Sequence, residues 1–142
     1  MAIYSLSQRT SNVTIANACW EIRTAATDRA YVFEIGITIN AATASVFGLG
    51  RPAAIGVTPT SPVTFLAEDP GAPASTVQAT LAWATGPTVP ANFLRRISLP
   101  ATVGAGVIWT FPRGLIIPIS SSIVLWNITA TSVADVYAVI DD

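Results

Sequence analysis

Between residues 30 and 40 the chain reads Ala-Tyr-Val-Phe-Glu-Ile-Gly-Ile-Thr-Ile-Asn, and this alternation restricts the fold more than any other stretch. Successive side chains of an extended strand point to opposite sides, so Tyr31, Phe33, Ile35, Ile37 and Ile39 are expected on one face and Val32, Glu34, Gly36, Thr38 and Asn40 on the other. A strand with one wholly apolar face needs a layer over it. The remaining sequence offers more strands and no helical periodicity of useful length, so the predicted cover is a second sheet.

Residues 13–16 and 18–24 read as strand, with Trp20 and Ile22 opposite Glu21 and Arg23, and residues 25–29 as the turn of a first hairpin into 30–40. Further strands are expected at 43–48, at 77–83 with Val77, Ala79, Leu81 and Trp83 together, at 93–99, at 103–111 with Val107, Trp109 and Phe111 on one face, and at 115–119, 123–128 and 135–140. Adjacent Arg95 and Arg96 require one arginine to point toward the interior side of its strand. Gly48-Leu-Gly50-Arg-Pro52 reads as a bend, its glycines serving backbone turning rather than a phosphate cradle, because no helix follows. Five prolines, Pro52, Pro59, Pro62, Pro70 and Pro73, make 51–73 a surface excursion in which only 63–67 reads as strand.

Roughly eight to ten short strands punctuated by turns predict an all-β chain, a two-sheet β-sandwich of jelly-roll type. Residues 1–12 are expected as an amino-terminal arm with a strand segment at 3–6, and 13–142 as one sandwich domain. Trp20-x-Ile22 followed by Tyr31-x-Phe33 is echoed by Trp126-x-Ile128 and Tyr137-x-Val139 at the same eleven-residue step, which suggests two similar hairpins.

The chemistry available is narrow. With no histidine and a single cysteine, the chain cannot build a Ser-His-Asp triad, a Cys-His pair or a histidine-based zinc site. Cys19, between Ala18 and Trp20, reads as a small buried hydrophobe. Glu21 and Glu34 would face each other across the first hairpin, yet a cross-strand salt bridge from either to Arg23 or Arg29 is the ordinary reading over a glycosidase pair. Glu68-Asp69 and Asp141-Asp142 lack the spaced ligands of a calcium loop. No catalytic, cofactor-binding or metal-binding residue is therefore assigned, and the chain is expected not to be an enzyme. Trp20, Trp83, Trp109 and Trp126 raise a carbohydrate-binding platform as an alternative, but each sits among apolar residues at spacing two and reads as core or interface.

Only 11% of residues are charged, against about 25% in ordinary domains. Such a surface is short of solvating groups, so a subunit of a larger assembly is expected. All seven cations are arginines, which suit desolvated contacts. A net charge of −1 gives no field for nucleic acid or an anionic membrane. No apolar run approaches the roughly 20 residues that span a bilayer, and the first residues lack a signal-peptide pattern, so assembly in a cytoplasm is expected. The sequons at Asn12 and Asn127 are then chance matches.

The segments Trp20-Glu-Ile-Arg-Thr24, Phe47-Gly-Leu-Gly-Arg-Pro52, Trp109-Thr-Phe-Pro-Arg-Gly114 and Ile123-Val-Leu-Trp-Asn127, within an Ala/Thr/Pro-rich all-β chain, resemble small virion proteins of tailed bacteriophages, especially capsid decoration or cement proteins. The resemblance implies a homotrimer, or a dimer, on the capsid surface of the virion that bridges major capsid protein subunits. It transfers no residue roles. On this reading the arm and the 51–73 excursion reach to neighbours, so removing residues 1–10 is expected to abolish attachment while the sandwich still folds. A tail or fibre component, or a carbohydrate-binding or adhesin module, are the alternatives.

Overall fold

The computed structural model describes residues 2–11, 17–129 and 132–142. The expected strand at 13–16 and the sequon at Asn12 lie outside them. Among the described residues there is no helix, and the strands form antiparallel sheets. The first sheet has the order β11-β3-β13-β1-β7, from β11 (Gly106–Ile117), β3 (Ala30–Ile39), β13 (Ala134–Asp141), β1 (Ile3–Arg9) and β7 (Leu66–Ala67). The second runs β10-β4-β12-β2-β8-β6, from β10 (Arg95–Leu99), β4 (Ser45–Gly50), β12 (Ser122–Asn127), β2 (Asn17–Arg23), β8 (Gln78–Thr80) and β6 (Val63–Thr64). Their inner faces interdigitate in one core that includes Ile35, Ile37, Val136 and Ile140 from the first sheet and Trp20, Ile22, Phe47, Leu49 and Leu125 from the second. The expected sandwich is the architecture observed.

A third layer was not foreseen. β5 (Val57–Thr60) and β9 (Ala82–Thr85) pair as a separate ribbon. Trp83 of this ribbon, with Phe93 and Ile128, packs against Ala18, Val124 and Trp126 on the outer side of the six-stranded sheet. This explains why every residue of β12 is buried. The continuous run Ile-Val-Leu-Trp in β12 is the pattern of a strand covered on both faces.

Several local expectations change in ways that have physical causes. The amino-terminal segment is not an arm: β1 pairs over its whole length with β13 and also with β7, and Tyr4 and Leu6 enter the core. Residues 18–24 and 30–40 are not a hairpin, since β2 lies in one sheet and β3 in the other. The same is true of β12 and β13, so the sequence echo marks two sheet-to-sheet crossings whose strands are neighbours, β2 beside β12 and β3 beside β13.

The face of β3 is not continuous either. Glu34 pairs with Val139 and Val32 with Ile140, leaving Phe33 as an extra residue. Such a bulge reverses the alternation. Ala30 and Val32 are therefore buried ahead of Ile35, Ile37 and Ile39, and Tyr31 faces outward. On the other side of β3, β11 passes from Thr110 to Leu115 while β3 moves only from Glu34 to Val32. The Phe111-Pro112-Arg113-Gly114 segment swells out of the edge, with Gly114 at φ +73° permitting the reversal. Trp109 and Phe111 are buried as their shared face predicts.

In the 51–73 excursion, the expected strand at 63–67 is two strands separated by Phe65. β6 belongs to the six-stranded sheet and β7 to the five-stranded one, and Phe65 between them is 2% exposed in the core. Gly48 and Gly50 lie within β4 rather than in a bend. A Cβ at Gly48 would meet Phe93 at 2.7 Å and one at Gly50 would meet Pro90 at 3.0 Å, so these glycines provide clearance for the covering segment.

Cys19 is wholly buried, and its thiol donates to the Leu125 carbonyl at 3.3 Å. Burial pushes its ionisation well above the ordinary thiol range. The native thiol is expected to react with an aromatic disulfide reagent at least about a thousandfold more slowly than in the denatured chain, because reaction waits on unfolding. A rapid stoichiometric reaction without denaturant would contradict this burial.

Candidate functional site

The residues that could carry chemistry are separated. Glu21 lies on β2 and Glu34 on β3, in different sheets, so they do not oppose each other across a cleft. Glu34 instead accepts a hydrogen bond from the Tyr137 hydroxyl on the neighbouring strand. That bond, with some desolvation, raises the ionisation of Tyr137. The Tyr137 ring lies over Gly36, where any side chain would overlap it. Among the described residues no group of three or more His, Cys, Asp or Glu side chains is placed to hold a metal ion.

Glu21 is the most unusual carboxylate, at 0% exposure on the outer side of the six-stranded sheet. Its oxygens accept from Arg23 at 3.1 and 3.2 Å and from the Trp83 indole N–H. Arg23 also donates to the Gly56 carbonyl. A buried charge is tolerated only when paired and hydrogen-bonded. The Glu21–Arg23 pair thus pins the ribbon, through Trp83 on β9 and the backbone at Gly56 just before β5. Gly56 is obligatory in this packing, since a Cβ there would overlap the Trp83 ring. The expected partner Arg23 is the one observed, but within the same strand rather than across a hairpin, and the contact with Trp83 had no local signal.

The tryptophans do not form open platforms. Trp20 and Trp126 are 1% exposed and Trp109 is 9% exposed, while Trp83 is partly covered in the ribbon contact.

Three exposed apolar side chains stand on the outer face of the five-stranded sheet near β11. Tyr31 and Ile116 are cross-strand partners and both lie outside, and Ile108 is 59% exposed beside Gly36. The β11 swelling adds a cavity of about 430 Å³ lined by Phe111, Pro112, Leu115, Arg95 and Arg113. Arg95 shares the inward side of β10 with Ile97 and Leu99, as the adjacent-arginine argument requires. It ends beyond the core, 5.3 Å over the Phe111 ring. Arg51 reaches the same edge, donating to the Ile116 carbonyl at 2.7 Å. The sequence offered one clue to this edge, the bend Pro112-Arg113-Gly114, but not that Arg51, Arg95 and Arg113 converge near it.

Among the described residues the arginine–carboxylate pairs are Arg9–Asp135 and Arg23–Glu21. Arg9 holds the exposed Asp135 below the usual carboxylate range through its hydrogen bond. No helix of the described residues is long and apolar enough to cross a membrane. No protein-family model matches the chain, and no curated protein matches it.

Proposed function

We propose that this chain is a structural subunit of a virion, a capsid decoration or cement protein of a tailed bacteriophage that binds the major capsid protein, and that its sandwich is a jelly roll. Strand pairing supports the jelly roll. β1, β2, β3 and β4 pair in turn with β13, β12, β11 and β10, as in a long antiparallel ribbon wound across two sheets, and successive strands of each half alternate between the sheets. The segment from 51 to 94 is then an insertion at the turn of that ribbon.

The observation that carries the functional reading is the uncovered outer face of the five-stranded sheet. Its neighbour is roofed by the β5–β9 ribbon, whereas this face presents Tyr31, Ile108 and Ile116 to solvent on a chain only 11% charged. Apolar sheet surface of this kind suits an interface that is covered in an assembly. The buried tryptophans weigh against the carbohydrate-binding alternative.

Gold-labelled antibody against the recombinant chain tests the proposal on virions released by cells that carry the gene. Labelling over the head surface is expected. Labelling confined to tails would replace decoration with the tail or fibre alternative, and absence of label from every particle, with the antibody active on the free chain, would overturn a virion role.

A further inference from the structure

Two groups of charges without an ion-pair partner among the described residues stand at opposite edges of the five-stranded sheet. β11 and β7 are its two outermost strands, about 19 Å apart at ordinary strand spacing. At the β11 edge, with Arg95 of β10 beside it, stand Arg51 and Arg113, all three exposed and none paired with a carboxylate among the described residues. At the β7 edge, Glu68, Asp69 and Asp142 rim a cleft of about 570 Å³ beside Tyr4 and Pro73. None of these three meets an arginine; Asp142 accepts from Ser75 and Thr76, and Asp69 from the Gly71 amide.

The shapes complement each other as well. The β11 edge carries the swelling that projects Arg113 and the apolar hollow of Phe111, Pro112 and Leu115 next to it. The β7 edge carries the acidic cleft and, two residues before Glu68, Leu66 at 67% exposure, the most exposed large hydrophobic side chain among the described residues.

We propose that the β10/β11 edge is a docking surface for the β7 edge of a second copy of this chain, with Arg95 and Arg113 set against Glu68, Asp69 and Asp142 and Leu66 in the hollow. The two patches differ and lie on opposite edges, so the contact is heterologous. It closes into a ring of three or more copies or continues as a filament, and cannot close as a two-fold dimer. This inference stands whether or not the assembly is a virion.

The test is the mass of the full chain by light scattering at low ionic strength, with two charge-reversed variants. Wild type is expected to form a species of at least three copies that dissociates as salt is raised. Arg95→Glu/Arg113→Glu and Glu68→Arg/Asp69→Arg are each expected to weaken self-association about a hundredfold and run as monomers. Mixed together they are expected to associate, because each retains the native edge that the other lost. Should the first variant fail to fold, Arg113→Ala in the exposed swelling replaces it, with a loss of about tenfold expected. A monomeric wild type at 100 µM (an assay concentration of order 10⁻⁴ M, weaker than any stable assembly), unchanged mass in both variants, or a mixture that stays monomeric would each overturn the proposal.

Discussion

A chain lacking residues 1–9 is expected to show no cooperative unfolding transition. β1 pairs with β13 at every position from Ile3 to Arg9 and lies between β13 and β7 in the sheet. Its loss strips one side of the ladder from β13 and detaches β7. Tyr4 and Leu6, 2% and 7% exposed, leave the core with it, and burial of such side chains contributes about 1.5–3 kcal/mol each. Tyr4 also donates to the Pro73 carbonyl at 3.0 Å, and Gln8 accepts from the Trp20 indole at 2.8 Å across the sandwich. Each hydrogen bond lost adds about 0.5–1.5 kcal/mol net, and more where a buried partner is orphaned. The total reaches the roughly 5–15 kcal/mol that holds a domain of this kind together. Near-ultraviolet circular dichroism through a urea titration provides the measurement. A cooperative transition close to that of the full chain would show that the strand is dispensable, the behaviour of an arm.

Glu21→Ala is expected to cost about 3 kcal/mol, close to the lower end of what breaking a buried ion pair costs. The loss is not larger because Arg23 is partly exposed, at 21% of its side chain, and keeps the Gly56 carbonyl as a partner. The deletion also orphans the Trp83 indole N–H under the ribbon. A fall in melting temperature of about 10 °C is expected for a chain of this size. The double variant Glu21→Ala/Arg23→Ala is expected to regain part of the loss, because removing both charges avoids stranding one. Limited proteolysis supplies a second readout: if the pair anchors the ribbon, cleavage within β5 or β9 accelerates well before global unfolding. A Glu21→Ala chain within about 0.5 kcal/mol of wild type, the range of ordinary surface substitutions, would remove the pair from any structural role.

The strands were legible because their signal is local. Alternation at 107–111 placed Trp109 and Phe111 on one face, and both are buried. What each strand pairs with was not legible. The connection Ala25-Ala-Thr-Asp-Arg29 is long enough either to turn back within one sheet or to cross to another, and nothing in its residues decides between them. The bulge at Phe33 was equally silent, since an apolar residue there fits either face. Tyr31 and Phe33 therefore continue an apolar alternation in sequence that the backbone interrupts in space. The grouping of unpaired charges is the clearest case of information held only in the fold. Arg51, Arg95 and Arg113 are spread over more than sixty positions of sequence, and only the pairing of β10 with β4 and the swelling of β11 bring them to one edge.

Phe65 gives the molecule a mechanical asymmetry. Facing sheets stand about 10 Å apart, yet Thr64 of one sheet and Leu66 of the other are separated by one residue, and two backbone steps span only about 7 Å. The layers must converge at that margin, with the phenylalanine ring wedged in as they meet. The chain is thus bound like a book, with its spine at Phe65 and its fore-edge at β10 and β11, where six residues join the covers. A load pulling the layers apart is concentrated at the fore-edge. Arg51 and Arg95 already reach across that margin to β11, and whatever grips it from outside would act as a further clasp on the side away from the spine.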